Sequence, residues 1–477
     1  MICSYVRVAS VVVLLLSALA AGQSSRAADP ASPRRPNVVI LLADQWRAQA
    51  TGYAGDPNVK TPQLDRLAGQ GVRFRNAVSV CPVCSPARAS LLTGRYPLTH
   101  GVFINDVPLR RDAVSMADAF AQAGYQTAYI GKWHLDGHGR SAFIPAERRQ
   151  GFQFWRTAEC THAYNHSHYY ADTDRKLFWQ GYDAIAQTEE AQKYIRAQKD
   201  RPFLLVLAWG PPHNPYPTAP ERFRRLYKPD TLVLRKNVPP EAEAATRRDL
   251  AGYYAHCSAL DECLGAIVGT LAECGLEDNT LVVFTSDHGD MLGSHNQVRK
   301  QRPWDESVCV PLVLRWPAGL GRQGRAIERP INTPDLMPTL LGLCRIPTPA
   351  TVEGADLSKL ARGEEADGDD AALVLCAAPF GEWTRRQGGR EYRAVRTTRY
   401  TYVRTLDGPW LLYDNQQDPF QEHNLCNRPD HAAAQAQLDA DLRRKLEQTH
   451  DDFRSGWDYI KQWGYKTDAA GTMPYAP

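Results

Sequence analysis

The sequence predicts an α/β protein, with a mostly parallel central sheet flanked by helices. A smaller C-terminal α+β domain with an antiparallel sheet is expected to follow. Three observations lead there. Short apolar runs alternate with helical patterns over residues 36–360, as parallel strands joined by crossover helices do. Residues 361–370 (ARGEEADGDD) are acidic, glycine-containing and aperiodic, and read as a linker. Residues 371–477 then hold short strand-like runs and one amphipathic helix.

Four apolar runs define the sheet: residues 37–43 (NVVILLA), 126–130, 203–208 and 280–285. Apolar residues at helical spacing over 250–272 predict a long helix just before the last of them. Beyond the linker, residues 372–376, 400–404 and 410–413 read as strands and 433–449 as a helix. The chain has 477 residues, 43% hydrophobic and 23% charged, which excludes collagen-like, coiled-coil and disordered classes. A formal charge of +3 gives no general basic field, so nucleic acid is not expected as a partner.

Ahead of the sheet, Arg7 precedes an apolar stretch at 8–21 and then small residues. Residues 1–27 therefore read as a secretory signal peptide, the apolar run being short of the roughly 20 residues that span a bilayer. The expectation is an exported protein without stable membrane insertion: periplasmic or extracellular, or lysosomal or secretory in a eukaryote. Losing Cys3 with the signal leaves ten of eleven cysteines where disulfides are permitted. Cys81 and Cys84 have C-x-x-C spacing, but no second such pair completes a zinc site.

Each of the four runs ends in chemistry. The first leads to Asp44-Gln45, the second to Lys132-Trp133-His134, the third to His213 and the fourth to Asp287-His288. Ligands of parallel sheets bind beyond the carboxyl ends of the strands, so these ends suggest one shared site. The oxygen-rich set Asp44, Gln45 and Asp287 favours a hard cation, with His288 as an imidazole beside it. Lys132, Lys300, His134 and His213 add positive charge and proton transfer, which suits an anionic ester. In Cys84-Ser85-Pro86-Ala87-Arg88 the proline marks a first helical turn, placing Cys84 at a helix N-terminus. The dipole there stabilises a thiolate or a bound oxyanion; a buried structural thiol is the competing reading.

Cys84 to Arg88 matches the C-x-P-x-R signature of the type I, formylglycine-dependent sulfatases of the alkaline phosphatase superfamily. Residues 82–94 (PVCSPARASLLTG) fit its longer form and residues 124–135 (GYQTAYIGKWHL) the family's second signature. Blocks at 61–77, 287–295, 335–340 and 412–425 resemble the family in the same order. The resemblance implies an alkaline phosphatase-like fold and a secreted sulfatase acting on organic sulfate monoesters, carbohydrate sulfates above all. It implies that a formylglycine-generating enzyme converts Cys84 to formylglycine, whose hydrate attacks sulfur. Asp44, Gln45, Asp287 and His288, with residue 84, fall on the ligand positions of one Ca2+. Arg88 resembles the arginine anchoring the formylglycine, and Lys132 and Lys300 the sulfate binders. His134 resembles the base that breaks the intermediate, and His213 the donor to the leaving oxygen.

Two positions depart from the family, which commonly has Asp-Asp where this chain has Asp44-Gln45 and Asp-Asn where it has Asp287-His288. A less anionic shell raises a second reading, a phosphate or phosphonate monoester hydrolase on the same scaffold. A third, a non-catalytic sulfated-glycan-binding protein, sits poorly with an intact nucleophile, Arg88 and both lysines. Residues 319–324 match G-x-G-x-x-G but lack a following helix, and read as a loop. His162, His166 and His168 among tyrosines read as a surface loop, a candidate sugar-contacting rim, rather than a zinc cluster; His100 reads as structural.

Overall fold

The computed structural model describes Met1, residues 35–365 and residues 368–474. The signal-peptide assignment and Cys3 lie outside the described residues.

Eight strands make the central sheet: β1 (Asn37–Asp44), β2 (Val72–Phe74), β3 (Gln126–Lys132), β4 (Phe154–Ala158), β5 (Phe203–Pro212), β6 (Thr280–Ser286), β7 (Leu312–Arg315) and β8 (Arg325–Ile327). Their order is β8-β2-β7-β6-β1-β5-β3-β4. The four strands expected from apolar runs are its contiguous centre, β6-β1-β5-β3, all parallel. Only β7 runs antiparallel, against both β6 and β2.

A strand with period-2 side chains and helices on both faces must be apolar throughout. In β1, Val38, Ile40 and Leu42 join one core, and Val39, Leu41 and Ala43 the other. The first core includes Leu91 and Leu92 of helix α1 (Cys84–Thr93). The second includes Ile195 of α2 (Asp183–Ala197) and Leu260, Leu264 and Ile267 of α3 (Glu243–Glu273). Each such fully buried aliphatic side chain contributes about 1.5–3 kcal/mol. The helix expected over 250–272 is therefore present and longer.

The C-terminal sheet is antiparallel, β9 (Ala371–Cys376), β10 (Tyr392–Thr397), β11 (Tyr400–Thr405) and β12 (Gly408–Asp414) in sequence order. Helix α4 (Ala432–Gln448) follows, burying Leu438 and Leu442. This part touches two segments that carry site residues. The Leu375 amide donates to the Val80 carbonyl (2.8 Å), just before α1. The Gln301 side-chain amide donates to the Phe380 carbonyl (2.8 Å) and the Tyr392 hydroxyl to the Gln301 carbonyl (3.1 Å), beside Lys300.

Residues 319–324 close one helical turn, Pro317–Leu320, and lead into strand β8, so no dinucleotide-type helix follows. Among the described residues no helix is long and apolar enough to cross a membrane. All ten described cysteines are free thiols, Cys81 and Cys84 included.

Candidate active site

The ends of β1, β3 and β6 meet the N-terminus of α1 in one buried cluster. Asp44 closes β1 and is fully buried. Lys132, the last residue of β3, donates from Nζ to Asp44 Oδ2 at 2.6 Å. Its position depends on Gly131, at φ +107°, where an added Cβ would lie 2.0 Å from the Ala208 carbonyl oxygen. Only glycine lets β3 approach β5 this closely. Cys84 opens α1, with Val83 as its extended cap residue.

Arg88, one turn along α1, ties these elements together. Nε donates to Asp287 Oδ2 (3.0 Å), Nη2 to Asp44 Oδ2 (3.2 Å) and Nη1 to the Lys132 carbonyl (2.8 Å). Around Cys84 Sγ stand His288 Nε2 (3.2 Å), Lys300 Nζ (3.3 Å), Asp44 Oδ1 (3.6 Å) and Lys132 Nζ (3.7 Å).

Asp44, Cys84, Asp287 and His288 bring donor atoms within 4.8 Å of one another, the arrangement of a metal pocket. Two further contacts fit a cation there. His288 Nδ1 donates to the Gly289 carbonyl (2.9 Å), leaving Nε2 as a lone-pair donor, the usual state of a ligating imidazole. Gln45 gives its amide hydrogens to Asp290 Oδ2 (2.6 Å), so its Oε1 turns inward, where Lys300 Nζ meets it at 3.1 Å. A hard cation accepts carboxylate and amide oxygens, and the donor set suits one.

The remaining predicted residues complete the ring. His213 Nε2 lies 2.7 Å from Lys300 Nζ, and its Nδ1 donates to the Asn214 carbonyl (2.8 Å). His134 faces Asp106 Oδ1 through Nε2 (3.2 Å), while its Nδ1 is buried without a partner. Thus all ten sequence-predicted site residues are brought together, each at most 5% exposed. Gln45 and His134, at φ +71° and +60°, hold left-handed conformations unusual for non-glycine residues, as functional sites often do.

The electrostatics follow from this crowding. Burial and Asp44 push the Cys84 thiol up, but Lys132 and Lys300 above all hold it well below its ordinary value. Burial also raises the Asp44 carboxyl, yet Lys132, Arg88 and Lys300 keep it well below the usual range. His213 goes down through burial and the Lys300 charge, whereas Lys300 is held up, against burial, by Cys84 and Glu382. The proton they share therefore resides on Lys300. Burial opposes the charged form of His134, but Cys160 and Asp106 hold it up at about 10.

Several residues of the site carry no sequence pattern. Asp106 is one, itself held by Arg140 at 2.9 and 2.8 Å. Asp290 is another; besides Gln45 it accepts from Tyr216 (2.5 Å) and the Arg299 amide (2.9 Å). Its place in the 287–295 block was the available signal. Glu159, just past β4, accepts from the amides of Leu135, Asp136 and Gly137 and so fixes the loop after His134. From the C-terminal part Glu382 approaches Lys300 at 3.7 Å. The three loop histidines form no metal cluster: His162 stacks on His213 at 4.4 Å and His166 on Phe178 at 4.7 Å. His100 is structural, bonded to Ser90 (3.0 Å).

The sulfatase family profile matches residues 36–346, and the C-terminal profile of N-sulphoglucosamine sulphohydrolase matches 293–449. The chain belongs to the sulfatase family. It is 47% identical over 442 residues to an ulvan-active sulfatase of Formosa agariphila, covering 91% of this chain and 85% of that one. An endo-4-O-sulfatase of Bacteroides thetaiotaomicron is 31% identical, over 82% of this sulfatase and 88% of the relative. Among solved structures, Bacteroides fragilis yidJ superposes with TM-score 0.80 at 31% identity, over 89% of this sulfatase and 98% of that chain. The phosphonate monoester hydrolase of Agrobacterium radiobacter superposes with TM-score 0.71 at 26% identity, over 87% and 96%. The fold is thus the alkaline phosphatase-like one, with its antiparallel C-terminal sheet.

Proposed function

We propose that this sulfatase hydrolyses sulfate monoesters of an extracellular polysaccharide, with residue 84 as nucleophile in its formylglycine form and one Ca2+ beside it. The observation that carries this is the ring of two lysines, an imidazole and a carboxylate within 3.7 Å of Cys84 Sγ at a helix N-terminus. Similarity to a sulfatase active on ulvan supports a polysaccharide substrate. The proposal includes export by residues 1–27, maturation by a formylglycine-generating enzyme, a catalytic unit over 36–360 and a C-terminal unit over 371–477.

Asp44, Gln45, Asp287 and His288, with residue 84, would hold the Ca2+. When bound, the ion polarises a sulfate oxygen and lowers the pKa of the neighbouring hydroxyl. The chain's own groups do the rest. Lys132 and Lys300 are fixed by Asp44 and Gln45 to bind sulfate oxygens, and Arg88 locks both metal-side carboxylates. The Lys300–His213 pair, holding one proton between 2.7 Å neighbours, supplies it to the leaving oxygen. With Nε2–H directed at Asp106, His134 in its neutral form presents Nδ1 as the base toward residue 84.

The decisive measurement is the mass of the Cys84 peptide from exported protein, expected about 18 Da below the thiol form as sulfur is replaced by a carbonyl oxygen. Unmodified thiol throughout a fully active preparation overturns the mechanism. The phosphonate hydrolase reading is favoured by the substitution of Gln45 and His288 into the ligand set and by the fold match above. Comparing aryl sulfate, phosphate and phosphonate esters separates the two; a preference for phosphonate of about 100-fold or more selects the second.

A further inference from the structure

A cavity of about 850 Å3 contains none of the side chains placed in the reaction. Its size lies within the range of roughly 300–1,000 Å3 typical of ligand pockets. It opens beyond the loop after β1, and its walls carry six cations, Arg47, Arg73, Arg75, Arg235, Lys236 and Arg396, against two acids, Asp56 and Asp305.

The acids are already engaged. Asp56 accepts from the amides of Asn58 (2.8 Å) and Val59 (3.0 Å) and from the Tyr254 hydroxyl (2.7 Å). Asp305 takes a bidentate pair from Arg396 at 3.1 and 3.0 Å. Outside the cavity, Glu306 pairs with Arg235 (2.9 Å) and Glu328 with Arg75 (3.0 Å).

Arg47 has no such partner. It is 1% exposed, its Nε and Nη1 are buried without a hydrogen bond, and Nε of the half-buried Arg73 is in the same state. No described carboxylate forms an ion pair with Arg47; Asp56 and Glu306 act on it only at longer range. A guanidinium taken out of water without a counter-charge is costly, so a site that keeps one is short of an anion. Aromatic rings line the same space. Arg73 lies over Tyr53 at 5.6 Å, and Arg235 and Lys236 over Phe420 at 4.9 and 5.7 Å. Tyr254 and Phe74 complete the wall. Flat apolar faces beside cationic donors suit a sugar ring that carries an oxyanion.

We propose that this cavity is a second, non-catalytic binding site for an acidic saccharide unit, its sulfate or carboxylate neutralising Arg47 and Arg73 while its ring packs on Tyr53 and Phe420. The saccharide part rests on the polysaccharide reading above; the anion part does not depend on the chemistry at Cys84.

The test uses the full chain and two probes, selenate and D-glucuronate. Crystals soaked in selenate are expected to show an anomalous selenium peak within hydrogen-bond reach of the Arg47 guanidinium, besides any at Cys84. Calorimetric titration with glucuronate is expected to give binding weakened about 10-fold in Arg47→Gln and about 3-fold in Lys236→Gln, which removes an exposed rim charge. Turnover of a small aryl sulfate should stay within about twofold in both variants, since uniform catalysis at Cys84 needs neither group. No peak at Arg47, or equal glucuronate affinity in wild type and Lys236→Gln, overturns the proposal, as does selenate binding without glucuronate binding. Should Arg47→Gln not fold, the soak and Lys236→Gln still decide. Absent aryl sulfate turnover in wild type would instead break the catalytic reading and leave this one standing.

Discussion

Two arginines sit fully buried on opposite business. Arg393, in β10, donates to both oxygens of Asp451 and to the carbonyls of Tyr392 (3.0 Å) and Cys376 (3.3 Å). Asp451 is in turn capped by Tyr459 (3.0 Å) and the Phe453 amide (2.9 Å). One cation meets one carboxylate, and every donor is used. Arg88 also meets carboxylates, but in company: three cations, Arg88, Lys132 and Lys300, surround Asp44 and Asp287, with Glu382 reaching in from the rim. The first arrangement is closed. The second turns two lysine ammonium groups toward a nucleophile at its centre, an arrangement suited to receiving an anion.

The same conservative change should therefore give different results at the two places. Arg88→Lys keeps the charge but loses the fork that joins Asp44, Asp287 and the Lys132 carbonyl. Turnover is expected to fall about 100-fold or more, two charge-assisted hydrogen bonds being worth roughly 1.5–3 kcal/mol each. The melting temperature should fall as well, since a buried fork is lost, so turnover is compared per folded molecule. A variant that retains wild-type turnover would break the assignment of Arg88 to the reaction.

Arg393→Lys is the smaller and complementary effect. The lost hydrogen bonds to Asp451 and two carbonyls should cost about 2–3 kcal/mol of stability, read as a lower denaturation midpoint. Turnover per folded molecule should be unchanged. Loss of turnover without loss of stability would mean that the C-terminal sheet does more than hold the Lys300 loop through Gln301, Phe380 and Tyr392.

How much of this was legible follows from what each element must bury. The four central strands are covered on both faces, so each is a continuous apolar run, and they appear in the sequence without ambiguity. Strands β2, β4, β7 and β8 flank them; three are no more than four residues long and β4 carries Arg156, so none shows a run. In the C-terminal sheet, β10 (YRAVRT) hides the same way, because Arg393 and Arg396 are buried as ion pairs rather than exposed. The site divides similarly. Ligands and lysines at strand ends stand beside strong patterns, whereas Asp106, Asp290, Glu159 and Glu382 act only through contacts made by the tertiary fold.

Asp106 gives the sharpest test. Its carboxylate accepts from His134 Nε2 (3.2 Å) and is held by Arg140, so it fixes the ring and favours its charged form. That contact helps hold the His134 pKa up at about 10. Asp106→Asn removes the negative charge, and the imidazolium loses stabilisation, so the pKa falls. A step that needs neutral His134 then gains its base at lower pH: the acidic limb of the kcat profile should move down by about one unit. The plateau should drop about 10-fold, since asparagine no longer enforces the tautomer that leaves Nδ1 free. A merely structural Asp106 would lower the plateau and leave the limb where it was. A limb that moved upward would mean that His134 acts as an acid, and would transfer the base toward residue 84 to another group of the ring.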